Sequence, residues 1–454
     1  MKLIFLGGAQ TVTGSKYLLE TKHHQILIDC GLFQGLKSLR LKNWDDLPMD
    51  PSTIDAVLLT HAHIDHSGYL PLLVKNGFKG PIYCTPATFD LCKILLPDSG
   101  HLHEEDARRA NKYHYSKHEP ALPLYTEFDA EHCLKQFCPI AFDESYSIFP
   151  EINVQWQRAG HILGASIINI FAEQQHILFS GDLGRPHDPI MCAPHQPKSC
   201  DTLIIESTYG NRLHTYENPY QIIAETINHT AKIGGTILIP AFAVGRTQSM
   251  MYYLYQLKQQ KKIPNLPIYL DSPMAINATQ ILQSHCDEHR LSPEQCRLIC
   301  DSVTYVNSRE ESQALDEQKF SKIIISASGM ITGGRILHHV KQYGPDEKST
   351  ILLTGFQAPG TRGARLLDQE KQLKIHGEMV HIRAQVITLT STSAHADYQE
   401  ILDWISGFQT LPKTIFITHG ELDAARALKT HIFKRFHIEA VIPSLFASME
   451  LNNN

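Results

Sequence analysis

Short apolar runs rich in branched side chains recur along the chain, and several of them end in a polar loop that contains glycine. This pattern is typical of buried β-strands that are each followed by a loop at the edge of a sheet. Three clear examples are residues 57–59, 177–179 and 415–418. Because a strand holds the start of its following loop in a fixed position, we expect these loops to carry the functional side chains.

The middle of the chain has a different pattern, in which apolar strands alternate with segments compatible with helices. Four of these strands end in the loops PAFAVGRTQ, DSPMA, SASGM and GFQAPGTRG. Alternation of this kind predicts a parallel, doubly wound sheet whose site lies at the carboxyl ends of its strands. We therefore expect one domain inserted into another, with residues 206–385 as the insertion and residues 1–205 and 386–454 as the two parts of the outer domain.

Composition and charge narrow the class of protein. The chain has 454 residues, 43% of them hydrophobic, which is enough for two or three domains with sizeable cores. No apolar run approaches the roughly 18 residues of a membrane span, so we expect a cytoplasmic protein without membrane contact. The formal net charge of -6 implies that any nucleic-acid site is local. The sequence does not fix the oligomeric state and leaves a homodimer open.

The stretch THAHIDH follows the first apolar run and contains His61, His63, Asp65 and His66. On a turn, its alternate side chains can converge from one side while the last two point elsewhere, so the stretch can serve two metal ions. Imidazole and carboxylate ligands without thiolate suit catalytic Zn²⁺, and also Mn²⁺ or Fe²⁺. The alternative is a polar loop with chance histidines, in a chain that has 26 of them.

Four side chains cannot fill two coordination spheres, so further ligands are expected at the ends of other strands. His161 lies between a strand-like segment and a glycine-rich turn, and Asp182 and His419 each follow an apolar run. Any one of them, taken alone, would more often be a structural residue. Together they predict a metal centre built from several strand ends.

These residues resemble the motifs of the metallo-β-lactamase superfamily, whose signature THAHIDH matches and whose preceding strand-end aspartate is Asp29 in ILIDCG. The resemblance implies an αββα sandwich. It also implies that Asp29 orients a ligand without binding metal. In this reading one zinc is held by His61, His63 and His161, the other is held by Asp65 and His66, and Asp182 bridges them.

The inserted segment resembles the β-CASP domain of superfamily members that act on nucleic acids. Glu206 in IIESTYG, His395 in STSAHAD and His419 in THGE match its motifs A, B and C. Histidine at motif C is typical of RNA-processing members, whereas the DNA-repair branch commonly has valine there. The loops also resemble those of the cleavage subunit of eukaryotic mRNA 3'-end processing and its compact prokaryotic relatives. The resemblance implies a zinc-dependent ribonuclease. From the number of ligands we expect two Zn²⁺ per chain, with His419 as a further ligand. We expect the substrate to be single-stranded RNA, because a duplex is too wide to place one phosphate on buried metals.

The chemistry of phosphodiester hydrolysis assigns roles to the remaining residues. Two zinc ions about 3.5–4 Å apart activate water and neutralise the phosphate oxygens, with Asp182 between them. The leaving 3'-oxygen needs a proton, which we assign to His395 as general acid, with Glu206 as the carboxylate that orients it. In-line attack then leaves 5'-phosphate and 3'-hydroxyl ends. A purely structural role for His395 is the alternative.

Substrate contacts are expected in the loops of the insertion. The backbone N–H groups of Ser328 and Gly329 could bind a phosphate at the start of a helix. The guanidinium groups of Arg246, Arg335 and Arg362 could contact the RNA backbone. For each arginine a solvated face or an interdomain salt bridge is equally open.

Two other functions remain open. The first is hydrolysis of small esters or thioesters. The large insertion and motifs B and C argue against this function, whereas turnover of small thioesters would support it. A silent RNA-binding scaffold is disfavoured because every expected ligand is present, and a lack of bound zinc would support it. We expect an endonuclease, although the sequence does not distinguish it from a 5'-exonuclease.

Overall fold

The computed structural model describes residues 1–114, 116–214, 217–355, 357–358 and 360–451. The chain divides into two compact units. Unit 1 comprises Met1–Leu213 and His395–Asn454, and unit 2 comprises His214–Ala394. The domain limits at residues 206 and 385 stay a prediction.

The strands are numbered in chain order. They are β1 Lys2–Phe5, β2 Tyr17–Glu20, β3 Gln25–Ile28, β4 Ala56–Leu58, β5 Ile82–Cys84, β6 Phe137–Pro139, β7 Ser145–Phe149, β8 Ile152–Arg158, β9 Ser166–Ala172, β10 Gln175–Phe179, β11 Thr202–Glu206, β12 Ile237–Pro240, β13 Ile268–Asp271, β14 Thr304–Tyr305, β15 Ile323–Ser326, β16 Thr350–Thr354, β17 Gln372–Ile375, β18 Glu378–His381, β19 Gln385–Leu389, β20 Thr414–Thr418 and β21 Ser448–Glu450.

The α-helices are numbered in the same way. They are α1 Lys37–Leu41, α2 Ile64–Ser67, α3 Leu70–Lys75, α4 Pro86–Tyr113, α5 Glu127–Cys133, α6 Pro219–Lys232, α7 Arg246–Gln259, α8 Pro273–Ser284, α9 Pro293–Asp301, α10 Arg309–Glu317, α11 Ile336–Tyr343, α12 Arg362–Leu367, α13 Tyr398–Ser406 and α14 Leu422–Phe436. Many begin where the sequence supplies a cap. Ser272 caps α8 ahead of a proline at its first position, and Asp397 forms a capping box with Glu400 at the start of α13.

Unit 1 contains two mixed sheets that pack face to face. One sheet has the strand order β21-β1-β2-β3-β4-β5-β6, and the other has the order β20-β11-β10-β9-β8-β7. Strand β8 shows why the sheets pack, because Ile152, Val154 and Trp156 are buried while Asn153 between them is exposed. These side chains join a core that includes Phe5 from the first sheet. This is the sandwich expected from the sequence.

Unit 2 is built around one parallel sheet with the strand order β14-β13-β15-β12-β16-β19. Its central strands are continuous runs of isoleucine and leucine, as expected for strands buried on both faces. Helices connect successive strands, and the hairpin β17–β18 packs its Leu373 and Val380 into the same core. The prediction of an inserted parallel, doubly wound sheet is therefore confirmed, and with it the predicted fold class.

The four loops singled out in unit 2 follow the neighbouring strands β13, β15, β12 and β16. Side chains at these strand ends bond across the sheet, with the Ser326 hydroxyl donating to the Asp271 carbonyl oxygen at 2.8 Å. The loops therefore share one edge of the sheet. Among the described residues, no helix has the length and apolar character needed to cross a bilayer.

Candidate metal centre

Five loops of unit 1 meet at one edge of the sandwich and bring the predicted ligands together. The parallel strands β10, β11 and β20 are neighbours, and Glu206 pairs in register with Thr418. Because the carboxyl ends of parallel strands share an edge, Asp182, Glu206 and His419 lie side by side. The loops after β4 and β8 add the remaining histidines at the same edge.

One group of four donor atoms has the spacing of a tetrahedral zinc site. His61 Nε2 and His161 Nε2 lie 3.1 Å and 3.2 Å from His63 Nδ1. Asp182 Oδ2 lies 3.4 Å from His61 Nε2 and 3.5 Å from His161 Nε2. A tetrahedron with zinc–ligand bonds of about 2.0–2.1 Å has edges of about 3.3–3.4 Å. The four side chains therefore fit zinc without rearrangement.

A second group of donors uses the other oxygen of the same aspartate. Asp182 Oδ1 lies 3.2 Å from His66 Nε2, and His419 Nε2 lies 3.4 Å from Asp65 Oδ2. The other nitrogen of the His419 ring, Nδ1, lies 3.4 Å from Asp182 Oδ1. His66 Nε2 and Asp182 Oδ1 are buried, and within the described parts of the chain neither forms a hydrogen bond of acceptable geometry, although the two atoms are 3.2 Å apart. Buried polar atoms without partners are costly, and a metal ligand bond would satisfy both.

Protonation in the first group suits metal binding. Burial, with the charge of His66, lowers the pKa of His61 to about 3, and burial together with His395 holds the pKa of His161 well below its usual value. Burial would raise the pKa of Asp182, but the neighbouring His419 and other histidines outweigh burial and hold it well below its usual value. Neutral imidazole and ionised carboxylate are the forms that bind metal.

Two buried groups behind the predicted ligands fix the orientation of His66. Asp29, which has a left-handed φ of 57°, lies 2.7 Å from His66 Nδ1 and accepts a hydrogen bond from Thr60 Oγ1 at 2.9 Å. Burial lowers the pKa of His66, but Asp182 and Asp29 outweigh burial and raise it well above its usual value. With Nδ1 held by Asp29, the other ring nitrogen faces Asp182.

Sequence reasoning missed two threonines that contact the predicted ligands. Thr60 Oγ1 lies 3.0 Å from His61 Nδ1, and Thr208 Oγ1 lies 3.1 Å from His419 Nδ1. A signal was present in both cases, because Thr60 is the first residue of THAHIDH and Thr208 lies two residues after Glu206. A histidine ligand binds metal through one ring nitrogen, and a hydroxyl in such a position can hydrogen-bond the other one.

His395 lies beside the donor groups and is paired with Glu206. Its Nδ1 is 3.1 Å from both carboxylate oxygens, and its ring centroid is 4.4 Å from that of His161. Burial lowers the pKa of His395, but the carboxylates of Glu206, Asp182 and Asp65 outweigh burial and raise it to about 9. Glu206 also accepts a hydrogen bond from the Leu183 backbone N–H at 2.6 Å, which fixes the carboxylate.

Family models match three consecutive parts of the chain. The metallo-β-lactamase superfamily matches residues 11–214, the β-CASP domain matches residues 247–366, and the Zn-dependent metallo-hydrolase RNA specificity domain matches residues 379–443. A ribonuclease of Thermus thermophilus, TTHA0252, is 33% identical over 94% of this chain and 95% of its own length. The chain belongs to the β-CASP family of the metallo-β-lactamase superfamily.

One further relative and one solved structure are similar to this β-CASP protein. The transcription termination factor FttA of Methanosarcina mazei is 31% identical over 97% of this chain and 70% of its own length. A crystal structure of a protein of unknown function from Enterococcus faecalis V583 has a TM-score of 0.55 at 14% identity, with 99% of both chains covered, and so shares the fold. Family membership and the donor cluster confirm the prediction of a metal-dependent RNA hydrolase.

Within unit 2 of this β-CASP protein, two of the arginines predicted to contact RNA are bonded to the unit itself. Arg335 Nη1 donates to Asp271 Oδ1 at 2.6 Å, and Arg362 Nε donates to the Lys374 carbonyl oxygen at 2.8 Å. RNA contacts by Arg335 and Arg362 stay a prediction.

The other predicted RNA contacts in unit 2 lie in or next to the loops after β12 and β15. Arg246 begins α7, directly after β12 and its loop, and Ser328 and Gly329 lie in the loop after β15. The Gly329 carbonyl oxygen accepts a hydrogen bond from the Gln357 amide at 3.1 Å. Binding of RNA by Ser328, Gly329 and Arg246 stays a prediction.

Proposed function

We propose that the chain is a zinc-dependent endoribonuclease that holds two Zn²⁺ ions and cleaves single-stranded RNA. The observation that carries the proposal is the position of Asp182, whose two carboxylate oxygens face two different groups of donor atoms. The proposed ligands of one ion are His61, His63, His161 and Asp182, and those of the other are Asp65, His66, His419 and Asp182. The RNA substrate is supported by the specificity domain and by the ribonuclease relative.

The bound zinc ions would supply an activated water and neutralise charge on the scissile phosphate. The residues of the chain have separate tasks. Asp29 and Thr60 hold His66, and Thr208 holds His419, so that each ring presents one nitrogen to the metal. Such orienting partners raise metal affinity because the ligand pays no cost of reorientation on binding.

His395 is the proposed general acid that protonates the leaving 3'-oxygen. Its Nδ1 is held by Glu206, so Nε2 carries the proton that can be donated. The Glu206 carboxylate raises the pKa of His395 and so favours the protonated ring that a general acid needs. Proton donation to the 3'-oxygen leaves a 3'-hydroxyl on one product and a 5'-phosphate on the other.

The test is to incubate the purified protein with RNA that is labelled either at its 5' end or internally, and to map the ends that form. We expect internal fragments with 5'-phosphate and 3'-hydroxyl ends, and about two zinc ions per chain by elemental analysis. Asp182→Ala, purified in parallel, serves as the control for contaminating nuclease.

Three outcomes would contradict parts of the proposal. Release of mononucleotides from the 5' end alone would show an exonuclease. Turnover of small thioesters without RNA cleavage would show a different substrate class. Full zinc content in Asp182→Ala would show that Asp182 does not bridge two ions.

A further inference from the structure

A buried lysine lies just before β2. Lys16 is 2% exposed, and its Nζ donates a hydrogen bond to the Gly31 carbonyl oxygen. The same nitrogen lies 4.8 Å from the ring centroid of Phe33 and 4.5 Å from that of Tyr69. Among the residues described, no Asp or Glu forms an ion pair with it.

Burying an ammonium group without a counter-charge is costly, and an apolar side chain would fill the space without that cost. The two ring faces offset only part of the cost. Burial lowers the pKa of Lys16 to about 8, partly opposed by Cys30, so the group is largely charged at neutral pH. The hydrogen bond to Gly31 is therefore the contribution that an apolar residue could not make.

Gly31 lies in a short segment, residues 30–32, that runs against the loop and helix carrying Asp65 and His66. A Cβ atom on Gly31 would lie 1.6 Å from the Asp65 carbonyl oxygen, so the two backbones are in direct contact. Backbone hydrogen bonds join the segments on both sides of this contact: Cys30 N to His66 O at 2.7 Å, and Leu32 N to Ile64 O at 2.9 Å.

The residue before Lys16 completes the arrangement. Ser15 N donates to the Asp65 carbonyl oxygen at 2.8 Å, and Gly31 N donates to the Ser15 carbonyl oxygen at 3.0 Å. Lys16 adds the remaining bond, from its side chain to Gly31. The carbonyl groups of residues 64–66 are thus held from one side by residues 15, 30 and 32.

We propose that Lys16 is a positioning residue for the second metal. Its ammonium holds residues 30–32 against residues 64–66 and so sets the backbone from which Asp65 and His66 project. The inference rests on the ligand set proposed above, but it concerns zinc affinity and not RNA cleavage. The inference about Lys16 can therefore be wrong while ribonuclease activity is confirmed. It can also be right if the protein cleaves no RNA.

Unit 2 supplies a matched control. Lys322 is 0% exposed, donates to the Gln318 carbonyl oxygen at 2.5 Å, and lies 5.3 Å from the ring centroids of both Phe320 and Tyr343. It therefore has the same kind of environment as Lys16, a carbonyl acceptor and two aromatic rings, but it belongs to a unit that contributes none of the proposed ligands.

The experiment compares Lys16→Met and Lys322→Met in the full chain. Both are stripped of metal and titrated with Zn²⁺ against a chromophoric chelator, and thermal unfolding of each metal-free protein is recorded. We expect both variants to fold, because methionine fills the space of each lysine without the cost of burying a charge. We expect only Lys16→Met to lose affinity for the second zinc, by about 10- to 100-fold, while the first zinc binds as in the wild type.

Unchanged affinity for the second zinc in a folded Lys16→Met variant would overturn the inference, and so would an equal loss in Lys322→Met. If Lys16→Met does not fold, Phe33→Leu decides by the same titration. This variant keeps the ammonium but removes one of its ring contacts. A selective but smaller loss at the second zinc supports the inference, and wild-type affinity at both sites overturns it.

Discussion

The two late histidines of the centre have different partners, and their removal should have different effects. His419 faces Asp65 and Asp182, whereas the Nδ1 of His395 faces Glu206. We expect His419→Ala to lose the second zinc because a ligand is removed. We expect His395→Ala to keep both zinc ions and RNA binding, and to lose about 10²- to 10⁴-fold in rate, as for removal of a general acid.

A change of leaving group in the substrate distinguishes the roles of His395 and His419 more sharply. An RNA with a 3'-bridging sulfur at the scissile position expels a thiolate that scarcely needs a proton. Its cleavage by His395→Ala should recover much of the lost rate, and its cleavage by His419→Ala should not. Equal loss of zinc in both variants, or rescue of neither by sulfur, would show that His395 is a ligand or a structural residue.

At the scale of a loop, Gly184 links two parts of the centre. It forms an isolated bridge with His395, and a Cβ atom there would lie 1.9 Å from the Gly160 carbonyl oxygen and 2.6 Å from His161 N. We therefore expect Gly184→Ala to shift the backbone at His161 and to disturb the bridge to His395. We expect lower zinc content and lower RNA cleavage, measured by elemental analysis and by the labelled-RNA assay.

The control for Gly184→Ala is Gly333→Ala, because a Cβ atom at Gly333 meets nothing within 4 Å. We expect its zinc content to equal that of the wild type. A wild-type zinc content in Gly184→Ala as well would mean that the loop yields to the extra methyl group without moving His161.

Helix α11 contains a buried imidazole that bridges two carboxylates. His339 Nε2 lies 2.7 Å from Asp271 Oδ2, and His339 Nδ1 lies 2.7 Å from Asp316 Oδ1. Both nitrogens must carry protons to donate these bonds. Burial lowers the pKa of His339, but the bonds to Asp271 and Asp316 outweigh burial and raise it to about 9. Arg335, bonded to Asp271, and Ser312 complete the network.

This network should make unit 2 sensitive to alkaline pH. A pKa raised from 6.5 to about 9 contributes stability that is fully present below pH 6.5 and is lost as the pH rises through 9, on the order of 3 kcal/mol. Denaturant unfolding between pH 6 and pH 10 should show the loss in the wild type. His339→Gln should be less stable at neutral pH and should lack that part of the alkaline loss; parallel curves for the two proteins would contradict the assignment.

The sequence predicted the site residues that belong to local motifs. It did not predict side-chain contacts between residues far apart in the chain. The motif THAHIDH and the strand-end position of Asp182 predicted donors that the fold brings together. Nothing local to Arg335 indicates that Asp271, 64 positions earlier, lies 2.6 Å away. The bond from Thr60 to Asp29, 31 positions earlier, was likewise not indicated by any local pattern.

The order of strands within the sheets also lay beyond the sequence. Apolar runs predicted the parallel sheet of unit 2, because alternation with helices restricts the topology. The same reasoning gave no indication that β20 pairs with β11, since that pairing joins residues on opposite sides of the insertion.

At the scale of the whole molecule, RNA binds a chain that is negatively charged overall. With a formal net charge of -6, affinity has to come from local contacts between cationic groups and phosphates, and such contacts release counterions. We expect the affinity of Asp182→Ala for single-stranded RNA to fall as salt rises, by a slope of about 0.7 per phosphate contact on logarithmic axes. Fluorescence anisotropy measures this affinity at each salt concentration, and an RNA duplex of the same sequence serves as the control. Affinity that does not respond to salt, or that is equal for the duplex, would contradict the proposed substrate.

The pairing of β11 with β20 has a consequence for the synthesis of the protein. The last proposed ligand, His419, directly follows β20, and that strand can join its sheet only after all of unit 2 has been translated. Unit 2, which is continuous in the chain, can fold while the sandwich still lacks an edge strand. With the proposed ligand set, a nascent chain cannot complete the metal centre until residue 419 has left the ribosome. We therefore expect the chain to gain ribonuclease activity only after that point in its synthesis.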